Sequence, residues 1–135
     1  MVMIYALDTN IVSYCLKGFY QLEQKIDGVL AGGGYIVIPP ITFYESLRGL
    51  LAAKATKKLD AFLLLCRRLG QSEMERPDWE LAALLYAVLK RKGQPMHDSD
   101  LLQAAFCLRN KYTLVTHNMK HFDHIEELSV VDWVE

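Results

Sequence analysis

The chain has 135 residues, of which 52% are hydrophobic and 23% are charged, and its formal net charge is −1. This size and composition are typical of one soluble globular domain over residues 1–135. Proteins that bind nucleic acid by phosphate neutralisation alone are normally basic, so the charge excludes that class and requires local patches or a bound cation for such contacts. No apolar run approaches the roughly 20 residues that span a bilayer, and no secretory signal is recognisable.

Three cysteines, Cys15, Cys66 and Cys107, are widely spaced and form no C-x-x-C motif. Each lies in an apolar stretch with helical spacing, which favours buried free thiols over a redox role. Free thiols predict a reducing compartment, and we therefore expect a cytoplasmic protein.

The first half of the chain alternates strand and helix patterns. An apolar strand over residues 3–7 stops abruptly at Asp8, and helices are predicted at residues 11–16 and 19–30. Residues 35–38 are β-branched and continuous, which is typical of a buried parallel strand. A helix over residues 42–54 follows this strand.

The second half continues the alternation. Helices are predicted at residues 56–69, 77–92 and 99–110, and strands at residues 71–75, 113–116 and 130–132. Strands separated by helices predict an α/β fold with a central parallel sheet flanked by helices.

Three acids occupy equivalent places in this pattern. Asp8 follows the first strand, Glu45 lies in the first turn of the helix after the second strand, and Asp100 opens a later helix. The carboxyl ends of parallel strands meet at one edge of a sheet, so these acids are expected to converge. Clustered carboxylates repel unless a cation neutralises them, and hard divalent cations such as Mg²⁺ or Mn²⁺ prefer oxygen ligands. The pattern predicts a metal site.

Each acid also has a purely structural interpretation. Thr42 and Glu45 have the spacing of a capping box, and Asp100 with Gln103 follows the same logic. Asp8 is placed to cap the next helix. For any single acid, the structural interpretation is at least as strong as the metal-ligand one.

Four motifs in order along nearly the whole chain resemble those of PIN-domain proteins, especially VapC-type toxins of prokaryotic toxin–antitoxin modules. They are Leu7-Asp8-Thr9-Asn10-Ile11, Glu45-Ser46-Leu47-Arg48-Gly49, the Gly93-to-Ala105 block with its Gly-x-Pro and Asp-x-Asp, and Leu114-Val115-Thr116-His117-Asn118 before a Phe.

The resemblance implies a single PIN-like, Rossmann-like domain that acts as a Mg²⁺- or Mn²⁺-dependent endoribonuclease. It carries Asp8, Glu45 and Asp100 over as metal ligands and catalytic residues. In the fourth motif, family members often have an acid at the site of Asn118 or just before the Phe, where this chain has His121. Asn118 is a candidate catalytic residue, and the possible accessory residues are Thr9, Asp98, Thr116, His121 and Asp123.

The resemblance also implies partners. These are an RNA substrate, a VapB-like antitoxin, and a second copy of the chain in a homodimer or a larger complex such as a heterotetramer. The helical hairpin with Leu47, Leu51 and Leu64 is then an interface and an antitoxin groove; the alternative is ordinary core. Alternative functions are a metal-dependent DNA nuclease or phosphatase, or an inactive PIN-like protein-binding module.

The histidines at positions 117, 121 and 124 suggest a zinc site by their spacing alone. Structural zinc normally takes four Cys or His ligands, and no cysteine is nearby in the sequence. Surface histidines are the favoured interpretation, with an RNA-facing role for His117 or His121 as a further option.

Overall fold

The computed structural model describes residues 2–134, and its centre is a five-stranded sheet in which every pair of neighbouring strands is parallel. The strands are β1 (Ile4–Leu7), β2 (Tyr35–Ile38), β3 (Gly70–Gln71), β4 (Thr113–Val115) and β5 (Val130–Val131). Their order is β3-β2-β1-β4-β5, so β1 is central and pairs with β2 and β4. The predicted α/β class with a parallel sheet is confirmed.

Helices connect the strands and cover the sheet. They are α1 (Thr9–Leu16), α2 (Leu22–Ala31), α3 (Pro40–Ala52), α4 (Thr56–Arg68), α5 (Arg76–Arg91) and α6 (Asp98–Asn110), with a short 3-10 helix at Met119–His121. Successive strand residues point to opposite faces. Leu7 belongs to a core cluster with residues of α1, α2 and α4, whereas Ala6 belongs to a cluster with residues of α6.

Several predicted boundaries were wrong by a few residues. Helix α1 begins directly after Asp8, because Asp8 is its N-cap. Helix α3 begins at Pro40, whose fixed φ suits the first helical position. Helix α2 begins at Leu22 instead of residue 19, because Tyr20 and Gln21 have positive φ values of 58° and 54°.

The predicted edge strand over residues 71–75 is shorter and begins earlier. Strand β3 pairs Gly70 with Val37 in β2, and a Cβ added at Gly70 would lie 3.2 Å from the Val37 Cγ1 atom. The close approach of the Val37 side chain and of the Ile36 backbone oxygen, at 3.4 Å, therefore favours glycine where β3 begins.

Helix α5 is fixed to helix α6 through the fully buried Asp78. The Asp78 side chain accepts a hydrogen bond of 2.8 Å from the Glu75 backbone N–H, which completes a capping box at the start of α5. The same carboxylate forms an ion pair with Arg109 and accepts a hydrogen bond from Asn110, both near the end of α6. This link orients the helix that carries Asp100.

The hydrophobic hairpin of α3 and α4 divides between core and surface. Phe62 is fully buried, and Leu47 and Leu50 pack against the core. Leu51 and Leu64, in contrast, are more than half exposed. Packing in the hydrophobic core therefore explains only some of the hydrophobic residues of this hairpin.

All three cysteines are free and buried, as predicted. Burial raises the pKa of the Cys15 thiol to about 11 and also raises the pKa values of Cys66 and Cys107. Within residues 2–134, none of the helices is both long and apolar enough to cross a membrane.

Candidate active site

Asp8 occupies the carboxyl end of the central strand and is held there by four donors. Its Oδ1 accepts hydrogen bonds from the Thr9 backbone N–H at 2.9 Å and from Gln103 Nε2 at 3.0 Å. Its Oδ2 accepts from Thr116 Oγ1 at 2.7 Å and from Asn10 Nδ2 at 3.4 Å. Thr116 follows β4, so the adjacent parallel strands β1 and β4 deliver both residues to one edge of the sheet. Asp8 is thus both the helix cap and a member of the candidate site.

Glu45 lies in the second turn of α3, not in the first as predicted. Its Oε1 accepts a hydrogen bond of 2.7 Å from Thr9 Oγ1, and its Oε2 accepts one of 2.9 Å from Ser99 Oγ. The Arg48 guanidinium lies 3.7 Å from Oε2, but its side chain is largely exposed. Thr9 therefore connects the Asp8 end of β1 to Glu45.

The capping-box interpretation of Thr42 and Glu45 is wrong. Helix α3 is capped by Pro39, and Thr42 is buried in its first turn. The Thr42 hydroxyl donates to the Leu7 backbone oxygen at 2.7 Å and accepts from Gln103 Nε2 at 2.7 Å.

Asp100 is the third residue of α6 and is mostly buried. The helix is capped by His97, so the alternative in which Asp100 caps it is also wrong. Burial raises the pKa of Asp100, and the negative charge of Asp8 raises it further. His121 acts in the opposite direction, because its Nδ1 lies 3.1 Å from Asp100 Oδ2. Asp8 and Asp100 are close enough to interact electrostatically.

The three acids lie along one edge of the sheet and do not surround a common point. Within residues 2–134, no three His, Cys, Asp or Glu side chains are arranged so that they could hold a metal ion between them. Two buried polar atoms beside the acids, Gln103 Oε1 and Ser46 Oγ, have no hydrogen-bond partner in the described part of the chain. Mg²⁺ usually keeps several waters and uses one or two carboxylates, so this donor set fits a hydrated hard cation.

The accessory residues divide into two groups. Thr9, Thr116 and His121 each contact one of the three acids. Asn118 is exposed and contacts the site through its backbone N–H, which donates to Thr116 Oγ1 at 3.1 Å. Asp98 is exposed at the start of α6, and Asp123 forms a surface pair with His124.

Three contacts in the candidate site were missed by the sequence analysis. Asn10, Ser99 and Gln103 donate to the acids, although none was a candidate. Gln103 follows Asp100 by three residues, and this helical spacing places both side chains on one face of α6.

The histidines do not share a ligand. His117, His121 and His124 pair with three different acids, Asp132, Asp100 and Asp123 respectively. Their side chains are 43%, 52% and 32% exposed, which agrees with the surface interpretation.

Two concave surfaces adjoin the acids. A cleft of about 490 Å³ lies beside Asp100 and is lined by Pro95, Met96, His97, Asp100, Lys120, His121 and His124. A second groove of about 330 Å³ runs along α1 from Thr9 to Lys17 and along α3 from Glu45 to Ala53, with Lys58 on α4. Its lining is mainly apolar.

The parallel sheet and the acids at its carboxyl edge define a small Rossmann-like α/β protein with an acidic site. The PIN domain family model matches residues 5–128, and the chain belongs to this family. The family named from its motifs is therefore confirmed.

Known relatives cover nearly the whole chain. It is 30% identical over 138 residues to Ribonuclease VapC1 of Haemophilus influenzae, covering 98% of this chain and 100% of the relative. It is 31% identical over 140 residues to Ribonuclease VapC2 of Rickettsia felis, covering 97% and 98%. A chain in the crystal structure of VapBC2 from Rickettsia felis, bound to a promoter DNA fragment, matches with a TM-score of 0.85 at 29% identity, covering 97% and 99%.

Proposed function

We propose that this protein is a VapC-type toxin, an endoribonuclease that hydrolyses RNA phosphodiester bonds and is restrained by a VapB-like antitoxin. The observation that carries the proposal is the placement of Asp8 and Asp100. Helix α6, which carries Asp100, is joined directly to Asp8, because Gln103 one helical turn after Asp100 donates to Asp8 Oδ1 at 3.0 Å. Relatives named ribonucleases, with about 30% identity over the full chain, support the same activity.

PIN-domain ribonucleases of this class in general depend on a divalent metal, and we propose Mg²⁺ or Mn²⁺ for this chain. Asp8 and Asp100 would hold the cation, and Glu45 would complete the oxygen-rich surroundings together with Thr9 and Ser99. The chemistry that such a cation supplies is neutralisation of the scissile phosphate and a lowered pKa of water. Thr116 and Gln103 fix the orientation of Asp8 through its two oxygens. Asn118 remains a proposed fourth catalytic residue.

The cleft beside Asp100 is suited to an RNA backbone. His97, Lys120 and His121 on its wall offer donors to phosphate oxygens, although the chain as a whole is slightly acidic. Phosphate contacts position a nucleic acid without reading its sequence. The cleft therefore supports a phosphodiester substrate next to the acids.

The test is cleavage of a fluorescent single-stranded RNA by the purified protein. We expect cleavage to need added Mg²⁺ or Mn²⁺ and to stop with a chelator. Asp8→Asn, Glu45→Gln and Asp100→Asn should each lower the rate about 100-fold or more. Asp60→Asn, an exposed carboxylate on α4, is the matched control.

Two outcomes contradict this function. One is metal-dependent cleavage by Asp8→Asn at the rate of the unmodified protein. The other is hydrolysis of a DNA strand of the same sequence, or of a phosphate monoester, with the RNA left intact. If the protein binds no metal and cleaves none of these substrates, the alternative function, an inactive PIN-like protein-binding module, is supported instead.

We propose that the apolar groove between α1 and α3 receives a segment of the antitoxin. The groove begins at Thr9 and Glu45, so a segment lying in it reaches the acids. Lys17 and Lys58 border it and offer charges to acidic residues of the partner. The relative from Rickettsia felis was crystallised as a VapBC2 complex, which supports a partner of this kind.

We further propose a homodimer, or a larger complex with the antitoxin, in the cytoplasm. The exposed Leu51 and Leu64 of the hairpin are suited to a contact between copies. The free cysteines fit a reducing compartment.

A further inference from the structure

Four aromatic rings form an exposed cluster beside the acids. The ring centroid of Tyr14 lies 6.4 Å from Phe19, 5.2 Å from Tyr20 and 5.9 Å from His117, and Phe19 and Tyr20 are 5.9 Å apart. Phe19 is 47% exposed and Tyr20 is 48% exposed. We call these four residues the ring cluster. Large rings gathered on a surface are available to a ligand.

The loop between α1 and α2, which carries Phe19 and Tyr20 of the ring cluster, is strained. Tyr20 and Gln21 both adopt the left-handed backbone region, with φ values of 58° and 54°. Two consecutive non-glycine residues seldom adopt this conformation, because the Cβ atom meets the backbone. This backbone conformation leaves the rings of Phe19 and Tyr20 about half exposed, so packing in the core does not explain the strain. Strain of this kind concentrates at functional sites.

A short hydrogen-bonded path joins the ring cluster to Asp8. The His117 backbone N–H donates to Asn10 Oδ1 at 3.1 Å, and Asn10 Nδ2 donates to Asp8 Oδ2 at 3.4 Å. Tyr14 lies one helical turn after Asn10 on α1. The rings thus lie beside the acids, on the far side of Asn10.

The His117 ring is held in place, since its Nδ1 lies 2.9 Å from Asp132 Oδ2. A cation also approaches the cluster, because Lys17 Nζ lies 5.9 Å from the centroid of the Phe19 ring. Exposed rings next to a lysine are the combination that binds single-stranded nucleic acids, because bases stack on the rings and the cation attracts the backbone.

We propose that the ring cluster stacks an unpaired base of the RNA whose phosphodiester lies at the acids, an inference that rests on the proposed function. The faces of paired bases are covered by their neighbours, so only a single-stranded segment can use the rings. The ring cluster is therefore a base-binding subsite that selects single-stranded substrates, and it acts in binding and not in the chemical step.

The test measures RNA affinity in the Asp8→Asn background, which is expected to leave the RNA intact. A labelled 12-nucleotide single strand is compared by fluorescence anisotropy with a strand that has the same phosphates but abasic sugars at its central positions. We expect the complete strand to bind about 5- to 100-fold more tightly. Phe19→Leu and Tyr20→Leu should each remove most of this difference while leaving affinity for the abasic strand unchanged.

Two further variants separate a lost ring from a disturbed fold. Phe19→Trp keeps an aromatic face and should retain the preference for the complete strand. Trp79→Leu removes a ring of similar exposure on α5 and should change neither affinity. Thermal unfolding of each variant tests whether the protein remains folded.

The proposal is overturned if both strands bind equally, or if Phe19→Leu and Tyr20→Leu keep the full preference. It is also overturned if these variants change only the oligomeric state or the affinity for a protein partner, because the rings are then a protein interface. Failure of the proposed function is distinguishable: base-dependent binding without cleavage by the unmodified protein supports the ring cluster and contradicts the nuclease.

Discussion

Gln103 Nε2 donates a hydrogen bond of 3.0 Å to Asp8 Oδ1 from a position that is 1% exposed. The same nitrogen donates to Thr42 Oγ1, whose hydroxyl donates to the Leu7 backbone oxygen. Helices α6 and α3 and strand β1 are therefore tied together directly behind the acid at the centre of the site. A buried amide in this position fixes one carboxylate oxygen of Asp8.

Gln103→Leu should lower the rate of RNA cleavage about 10- to 100-fold, the usual effect of removing a partner that orients a ligand. Leucine fills a similar volume but donates nothing to Asp8. The rate is measured at saturating metal and again across a metal titration, since a misplaced Asp8 also weakens metal binding. Gln24→Leu on the exposed face of α2 is the control. Unchanged activity and metal affinity in Gln103→Leu would show that Asp8 is oriented without this bond.

Asp100→Asn should stabilise the metal-free protein at pH 7. Burial, and then the charge of Asp8, raise the pKa of Asp100 above its ordinary value of 3.8. A raised pKa means that the folded protein favours the protonated acid, so this contribution to stability is complete below pH 3.8 and is lost as the pH rises through the folded-state pKa. Asparagine carries no charge at pH 7 or below pH 3.8, so the variant does not lose this contribution as the pH rises.

The measurement for Asp100→Asn is urea unfolding in the presence of a chelator. The stability advantage of the variant should be largest at pH 7 and shrink towards pH 3.5. Asp60→Asn, on the surface of α4, should show little effect at either pH. An advantage for Asp100→Asn that stays constant with pH would contradict the electrostatic explanation.

Asp78→Ala should destabilise the domain by about 2–3 kcal/mol. The substitution removes one half of a capping box and leaves the Glu75 N–H without its acceptor. It also removes the acceptor of Arg109 and Asn110 at the end of α6. Equilibrium unfolding in urea measures the loss, and Glu80→Ala on the exposed side of the same helix is the control. A loss no larger than that of the control would mean that α5 and α6 are held by apolar packing alone.

Gly49→Ala should stabilise the protein by about 0.5–1 kcal/mol, because glycine is unfavourable inside a helix and a Cβ at this position meets no atom within 4 Å. Gly28→Ala in α2 has equally open surroundings and should give a similar gain. The two glycines differ in one respect, since Gly49 lines the groove proposed for the antitoxin.

Gly49→Trp should therefore weaken antitoxin binding, whereas Gly28→Trp should not. Co-expression with the cognate antitoxin followed by titration of the purified partners measures the difference. Equal antitoxin affinity in both tryptophan variants would place the antitoxin outside this groove.

Much of the fold was predictable because strand and helix patterns are local. The central strand and Tyr35–Ile38 were found from continuous apolar runs, and α4 was correct to within one residue at each end. The start of α2 was wrong because its apolar spacing continues back through Phe19, while the backbone at Tyr20 and Gln21 leaves the helical region. Periodicity does not reveal a strained φ.

The candidate site also has a part that was predictable from the sequence and a part that was not. Asp8 was recognisable from its place after a strand, and Thr116 was the last residue of the strand predicted over residues 113–116, which ends at Val115 in the structure. The structural alternatives for Glu45 and Asp100 were wrong because α3 begins at Pro40 and α6 begins at Asp98. Both acids therefore lie inside their helices and are free to face the sheet edge. Gln103 and Asn10 were missed, because a polar side chain in a helix gives no sequence signal of the partner it meets.

The sequence by itself determined the order of strands and helices, the family, and the acids that end or follow the strands, since all of these depend on residue type and short-range spacing. Only the tertiary structure decided which atoms contact those acids. The bonds of Asp8 to Gln103 and Thr116, and of Glu45 to Ser99, join residues from 54 to 108 positions apart. Such contacts form only when the parallel strands align their carboxyl ends and α6 packs across them, and the aromatic rings beside the acids meet for the same reason.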